Sequence, residues 1–118
     1  LTKISNKSSL RRKIPKSYTI SEKSLKQVYD VTRADTKETL KILNAVAHPI
    51  RLRILRALEV KELCVCVFVA ALNCKYSKLS YHLKLLKTAG LIKSKKDKNF
   101  LSYNHTKLGK KILNVIES

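Results

Sequence analysis

The stretch that decides the fold runs from Lys75 to His105, KYSKLSYHLKLLKTAGLIKSKKDKNFLSYNH. Leu79, Leu83 and Leu86 recur at helical spacing in its first half, so a helix over Ser77–Ala89 has one apolar side. Gly90 supplies the stop that such a helix wants, because glycine takes the left-handed conformation at a helix end without steric cost. Residues 91–96 and 100–105 then read as two strands, with Asp97-Lys98-Asn99 as the turn between them. A lysine-rich helix thus runs straight into a lysine-rich hairpin.

Upstream, Val60–Leu72 reads as a helix that is apolar nearly all round and is ended by Asn73. Val60–Ala89 therefore has the helix-turn-helix layout, and the hairpin behind it is a wing. Pro49 opens an earlier helix in which Ile50, Ile54, Ala57 and Leu58 repeat with helical period. Asp35, three residues before Glu38, predicts a capping box and a helix over Thr36–Ala47 whose apolar side is Leu40, Leu43, Val46 and Ala47. Before it, Leu25, Val28 and Tyr29 share a helical face. At the far end, Thr106–Glu117 places Leu108, Ile112, Val115 and Ile116 on one side. The expected fold class is mainly α with a small β-hairpin, a winged helix-turn-helix domain over residues 21–118. Residues 1–20, centred on Arg11-Arg12-Lys13 and followed by Pro15, are expected to form a basic N-terminal arm, either solvated or lying on phosphates or a partner subunit.

The composition narrows the function. The chain has 118 residues, 44% of them hydrophobic, which suits one domain with a real core. It carries 26 Lys+Arg against 8 Asp+Glu, a net charge of +18. So large an excess points to a polyanionic partner, nucleic acid ahead of an acidic membrane surface. The longest apolar run, Leu63–Leu72, has ten residues, whereas a membrane span needs about 20. The two glycines, Gly90 and Gly109, leave no Gly-rich phosphate loop. With no paired carboxylates and no nucleophile–base set in view, no enzyme is expected. Three cysteines and no secretory leader suggest a cytoplasmic protein with free thiols or thiolate ligands.

On the helix over 77–89, Ser77, Ser80, Tyr81 and Lys84 fall on the outer side at i, i+3, i+4 and i+7. Lys78 flanks them, and Lys75 and Tyr76 stand at the entry. Hydroxyls hydrogen-bond base edges or phosphates, and lysines supply phosphate charge and reach guanine. Lys93, Lys95, Lys96 and Lys98 give the wing phosphate or minor-groove contacts. The bland reading of each lysine-rich face is a solvated one. His82 either packs inside the helix pair or reaches the nucleic acid. The expected partner is double-stranded DNA, read by sequence. The rival is a basic structural protein of chromosomes or ribosomes that coats nucleic acid without base preference.

Cys64-Val65-Cys66 lies inside the expected helix 60–72, where residues two apart sit about 200° apart around the axis. Both thiols then reach one metal ion only if the helix distorts, and distortion there would move the reading helix. Ordinary burial is the competing account of these cysteines, and Cys74 is expected to fill an apolar slot in the turn.

Three stretches, LNAVAHPIRLRILRAL (Leu43–Leu58), ELCVCVFVAAL (Glu62–Leu72) and LSYHLKLLKTAGLI (Leu79–Ile92), resemble the ArsR/SmtB family of winged-helix repressors over about residues 36–118. The resemblance implies a homodimer whose N- and C-terminal helices form the interface. It implies an apo form that sits on a palindromic or near-palindromic operator and is weakened there by metal or metalloid. The family's ELCVCD motif puts Cys64 and Cys66 forward as ligands. No cofactor is then required, and the implied inducer is a thiolate-bound metal or metalloid such as arsenite. The chain departs from the pattern at Val67, where the motif has Asp, and at Val69, where arsenite-binding members have a third cysteine. His48 replaces an Asp before Pro49, and the N-terminal arm has no cysteine. His105 stands alone before the last helix, which lacks the paired zinc ligands of zinc-sensing members. A two-thiol sensor of oxidants or persulfide fits the same residues.

Overall fold

The structure, a computed structural model, describes residues 7–117, with side chains from residue 10 onward. The first six residues of the expected arm lie outside the described residues. The described residues form two compact units, divided between Thr36 and Lys37.

In the first unit, α1 (Lys7–Lys13) occurs within the stretch read as an arm, and α2 (Glu22–Thr32) follows. Ser21 caps α2 by accepting from the Ser24 backbone N–H, which satisfies one of the helix's unpaired donors. Arg11 ties the two helices together. Its Nε donates to Glu22 at 2.9 Å and its Nη2 to the Ile20 carbonyl at 2.8 Å.

The second unit is built as α3 (Lys37–Val46), α4 (Pro49–Leu58), β1 (Leu63–Cys64), α5 (Val65–Leu72), α6 (Tyr76–Thr88), β2 (Ile92–Asp97), β3 (Phe100–His105) and α7 (Lys107–Ile116). Helix α4 lies at its centre and packs on α3, α5, α6, α7 and β3. Its start is set by Pro49 at the first helical turn and by His48, whose Nδ1 accepts from the Ile50 N–H at 3.1 Å. Ile54, Leu55, Phe68, Leu79, Leu86 and Leu91 are wholly buried and form the centre of the core. Each such side chain contributes about 1.5–3 kcal/mol through burial.

The reading of Lys75–His105 holds within a residue or so at each boundary, with Leu79, Leu83 and Leu86 buried and Gly90 at φ +78°. Helix Val60–Leu72 requires correction. Leu63 and Cys64 form a strand, antiparallel to β3, with Leu63 opposite Tyr103 and Cys64 opposite Ser102. The wing is consequently part of a three-stranded sheet in the order β1-β3-β2. The physical reason is that β3 offers a second edge, and pairing there satisfies backbone groups before α5 begins. Asn73, at φ 50°, ends α5 as expected.

The inward faces of α3 and α7 also differ from expectation. Ile42, Ala45 and Val46 of α3 meet the core, while Leu40 and Leu43 are exposed. In α7, Gly109, Ile112 and Leu113 face inward, while Leu108, Val115 and Ile116 are exposed. Each helix carries two apolar stripes, and periodicity alone does not rank them. Thr106 secures the junction before α7: its N–H donates to the Leu91 carbonyl at 3.1 Å and its hydroxyl to the Gly90 carbonyl at 2.6 Å. The same hydroxyl accepts from the Gly109 N–H, capping α7.

Candidate nucleic-acid interface

Helix α6 is held from behind and open in front. Its buried side is Leu79, His82, Leu83 and Leu86. Tyr76, Ser77, Lys78, Ser80, Tyr81 and Lys84 are all exposed, and Lys75 is exposed at the N-cap position. The structure thus places every candidate on this helix at the surface, on a rod whose other side is fixed in the core.

His82 belongs to the fixed side. The buried Arg51 guanidinium donates to His82 Nδ1 at 2.8 Å and to the Ala45 carbonyl at 2.7 Å, with a longer bond to the Asn44 carbonyl at 3.3 Å. One cation therefore ties α4, the end of α3 and α6 together. The His48 ring lies 4.4 Å from the His82 ring, centroid to centroid. Burial, then the charges of His48, Arg51 and Lys78, hold His82 below the ordinary histidine pKa, so the neutral ring is favoured. With Arg51 always a donor, Nδ1 accepts and Nε2 carries the proton.

The wing distributes its lysines. Lys93 lies opposite Asn104, Lys95 opposite Ser102 and Asp97 opposite Phe100, which share one face of the ladder. Lys96, opposite Leu101, lies on the other face, and Lys98 occupies the turn at φ 56°. All four lysines are exposed. Among the described residues, Lys95 is the only one of the eleven expected contact residues in an ion pair, with Glu62 at 3.6 Å. Two features of this region carry no signal in the sequence pattern. Lys87 donates to Ser94 Oγ at 2.6 Å and braces the wing against α6. Phe100 and Leu101 stand exposed at the wing's far end.

The thiols are closer than a helical reading allowed. Cys64 is the N-cap of α5 in extended conformation, not a helical residue. Its Sγ lies 3.0 Å from the Sγ of Cys66, which donates to it, and it also accepts from the Cys66 N–H at 3.5 Å. The two meet with no distortion of α5. The Cys66 thiol donor, followed by the backbone N–H groups of Cys66 and Val65, pulls the Cys64 pKa down, while donation to Cys64 pushes Cys66 up. Cys66 is exposed, Cys64 half-buried and Cys74 buried. Among the described residues no cluster of three or more His, Cys, Asp or Glu could complete a metal site. The pair suits chemistry that asks for two sulfurs and does not suit tetrahedral zinc, which takes four ligands. His105 is buried and donates from Nε2 to the Leu55 carbonyl at 2.8 Å, a structural bond.

Among the described residues, no helix is long and apolar enough to cross a membrane. Residues 48–94 match the family described as "Bacterial regulatory protein, arsR family". The chain is similar to the "Putative arsenical resistance operon repressor ArsR" of Halobacterium salinarum, 36% identical over 74 residues, covering 61% of this chain and 57% of that protein. It is also similar to the "Transcriptional repressor SmtB homolog" of a Synechocystis strain, 37% identical over 57 residues, 48% of this chain and 43% of that protein. The chain spans about half the length of these curated relatives. A solved structure described as "Possible transcriptional regulator for arsenical resistance" is 30% identical, with a TM-score of 0.58 over 64% of this chain and 79% of that one.

Proposed function

Because the chain belongs to the arsR family of regulatory proteins, we propose that it is a dimeric, sequence-specific DNA-binding transcriptional repressor of the cytoplasm. One observation carries the reading: α6 presents Tyr76, Ser77, Lys78, Ser80, Tyr81 and Lys84 to solvent on a helix whose reverse side is locked into the core. A rigid helix with hydroxyls and lysines outward suits a major groove, and Lys93, Lys95, Lys96 and Lys98 suit the flanking phosphates.

The exposed apolar stripes of α3 and α7 support the dimer. Leu40, Leu43, Leu108, Val115 and Ile116 remain in water in the single chain, and a second copy is the occupant that would cover them. Sedimentation of the protein beside Leu43→Glu tests this, with a dimer expected for the first and a monomer for the second.

Regulation is assigned to Cys64 and Cys66. Two thiols at 3.0 Å suit a trivalent arsenical that takes two thiolates, releasing two waters from arsenous acid and keeping one oxygen ligand. They equally suit oxidation by a peroxide to a disulfide, with two waters formed. Either event acts on β1, because Cys64 lies in the strand that pairs with Ser102 of the wing. It also disturbs the start of α5, which Cys64 caps. The route from thiol to DNA thus runs through the wing sheet as well as through the helix-turn-helix.

The deciding experiment enriches duplexes from a random pool and then competes them against unrelated duplexes at moderate salt. Equal binding of both would turn the assignment to the non-specific coating protein. Addition of arsenite or peroxide to the complex, beside the Cys64→Ser, Cys66→Ser double variant, tests the regulation. Release that persists in the variant removes the thiols from the scheme.

A further inference from the structure

The wing ends in apolar side chains that the fold does not use. Phe100 is 58% exposed and Leu101 40%, and neither belongs to the core. They begin β3, directly after the tight turn at Lys98, and they stand on opposite faces of the ladder. Phe100 lies across from Asp97 and Leu101 across from Lys96. Lys95, Lys96 and Lys98 surround them, against Asp97 as the single acid of the hairpin. The core does not use the Phe100 ring, and the lysines around it suit a partner with an apolar slot set among negative charges.

We propose that Phe100 is a wedge that enters the minor groove of the bound duplex, parts a base step and bends the DNA, with Leu101 meeting the groove from the opposite face of the tip. The inference rests on the DNA-binding reading above and adds a residue class to it. The minor groove is about 6 Å wide, too narrow for a helix but open to a strand tip. Its walls are phosphates that the flanking lysines neutralise, and its floor is made of base edges between which a step can be parted. Apolar side chains that enter from this side unstack a step and open the groove. Charge complementarity therefore brings the tip in, and the ring does what charge cannot. Two apolar residues are a small foothold for a lipid surface, where stable binding needs a broad apolar face. Asp97 opposes the approach, and this makes it a second handle on the proposal.

The chain has no tryptophan, so Phe100→Trp carries a sole indole reporter at the tip. The probe is a duplex that the wild-type protein enriches from a random pool, carrying a donor and an acceptor dye at its ends. Wild-type protein is expected to shorten the end-to-end distance by a bend of roughly 20–90°. Phe100→Ala is expected to lose at least half of that bend and about tenfold in affinity while the salt dependence stays unchanged. Phe100→Trp emission should be quenched on the duplex by stacking, and Asp97→Asn should tighten binding. An unbent wild-type complex, or a bend that survives Phe100→Ala, overturns the proposal and leaves DNA binding standing. Emission that responds to phosphatidylserine vesicles and not to the duplex overturns it in favour of a lipid surface. A wild-type protein that enriches no duplex overturns both this inference and the reading beneath it.

Discussion

The guanidinium of Arg51 lies 2.8 Å from Nδ1 of His82, and both side chains are buried. A protonated His82 would lose its acceptor lone pair and place a second cation against the first. Burial, His48, Arg51 and Lys78 accordingly hold its pKa below the ordinary 6.5. The unfolded chain therefore takes up this proton first as the pH falls. The stabilisation is complete above about 6.5 and is lost progressively as the pH drops from there through the folded-state pKa. In His82→Asn, whose side-chain oxygen can still accept from Arg51, this part of the pH dependence should vanish. Melting curves of both proteins through mildly acidic pH measure the difference.

Arg51 itself should matter more than its partner. Arg51→Ala leaves the Ala45 carbonyl and His82 Nδ1 without their donor inside the core. A loss of about 2–4 kcal/mol follows from unsatisfied buried acceptors. Denaturant titration should show it as a lower midpoint. A stability within error of wild type would mean that water replaces the guanidinium freely.

The two glycines should respond to alanine for different reasons. At Gly109 an added Cβ would overlap the carbonyl oxygen of Leu91, a backbone atom that cannot swing aside. The expected cost is roughly 3 kcal/mol, from overpacking at a rigid contact. At Gly90 nothing lies within 4 Å of such a Cβ, but φ is +78°. Strain alone should cost about 1–2 kcal/mol there. Denaturation midpoints for Gly109→Ala and Gly90→Ala should fall in that order.

Cys64 should be the first thiol to alkylate. Its thiolate is favoured by the Cys66 thiol and by backbone N–H groups at the start of α5, whereas Cys66 is pushed the other way and Cys74 is buried. Timed reaction with iodoacetamide near neutral pH, read by peptide mass, should find Cys64 ahead of both. Cys66→Ala should slow it.

Salt titration of DNA binding should separate the lysines. A lysine that neutralises a phosphate steepens the dependence by about 0.9 log unit per log unit of salt. Lys84→Ala and Lys96→Ala should each remove about that much. Lys95→Ala should remove less, because Glu62 at 3.6 Å already shares its charge.

The contrast between what the residues announced and what they concealed has a physical cause. Leu79, Leu83 and Leu86 have a single apolar stripe to obey, and Gly90 a single conformation to supply, so α6 and its end were legible. The exposure of Ser77, Ser80, Tyr81 and Lys84 followed from the same geometry. Leu40 and Leu43 compete with Ile42, Ala45 and Val46 for the inward side of α3, and only the tertiary partners decide. Leu63 and Cys64 form a strand because β3, some forty residues away in sequence, offers its edge, and no local pattern carries that information. The 3.0 Å approach of the two sulfurs depends on the same strand, which is why helical geometry set them apart. Phe100 carries no such signal, because a lone aromatic beside a turn is indistinguishable, by spacing, from one that will be buried.

Thr106 clasps Gly90 and Leu91 at the root of the wing, while the tight turn at Lys98 lies at its far, exposed end. Hairpin length is thereby uncoupled from the rest of the architecture. Insertions that add matched pairs on both strands keep every side chain on its own face, whereas a single added residue inverts the outer part. A few matched pairs added or removed at the tip would thus change how far the finger reaches and leave α6 as it is.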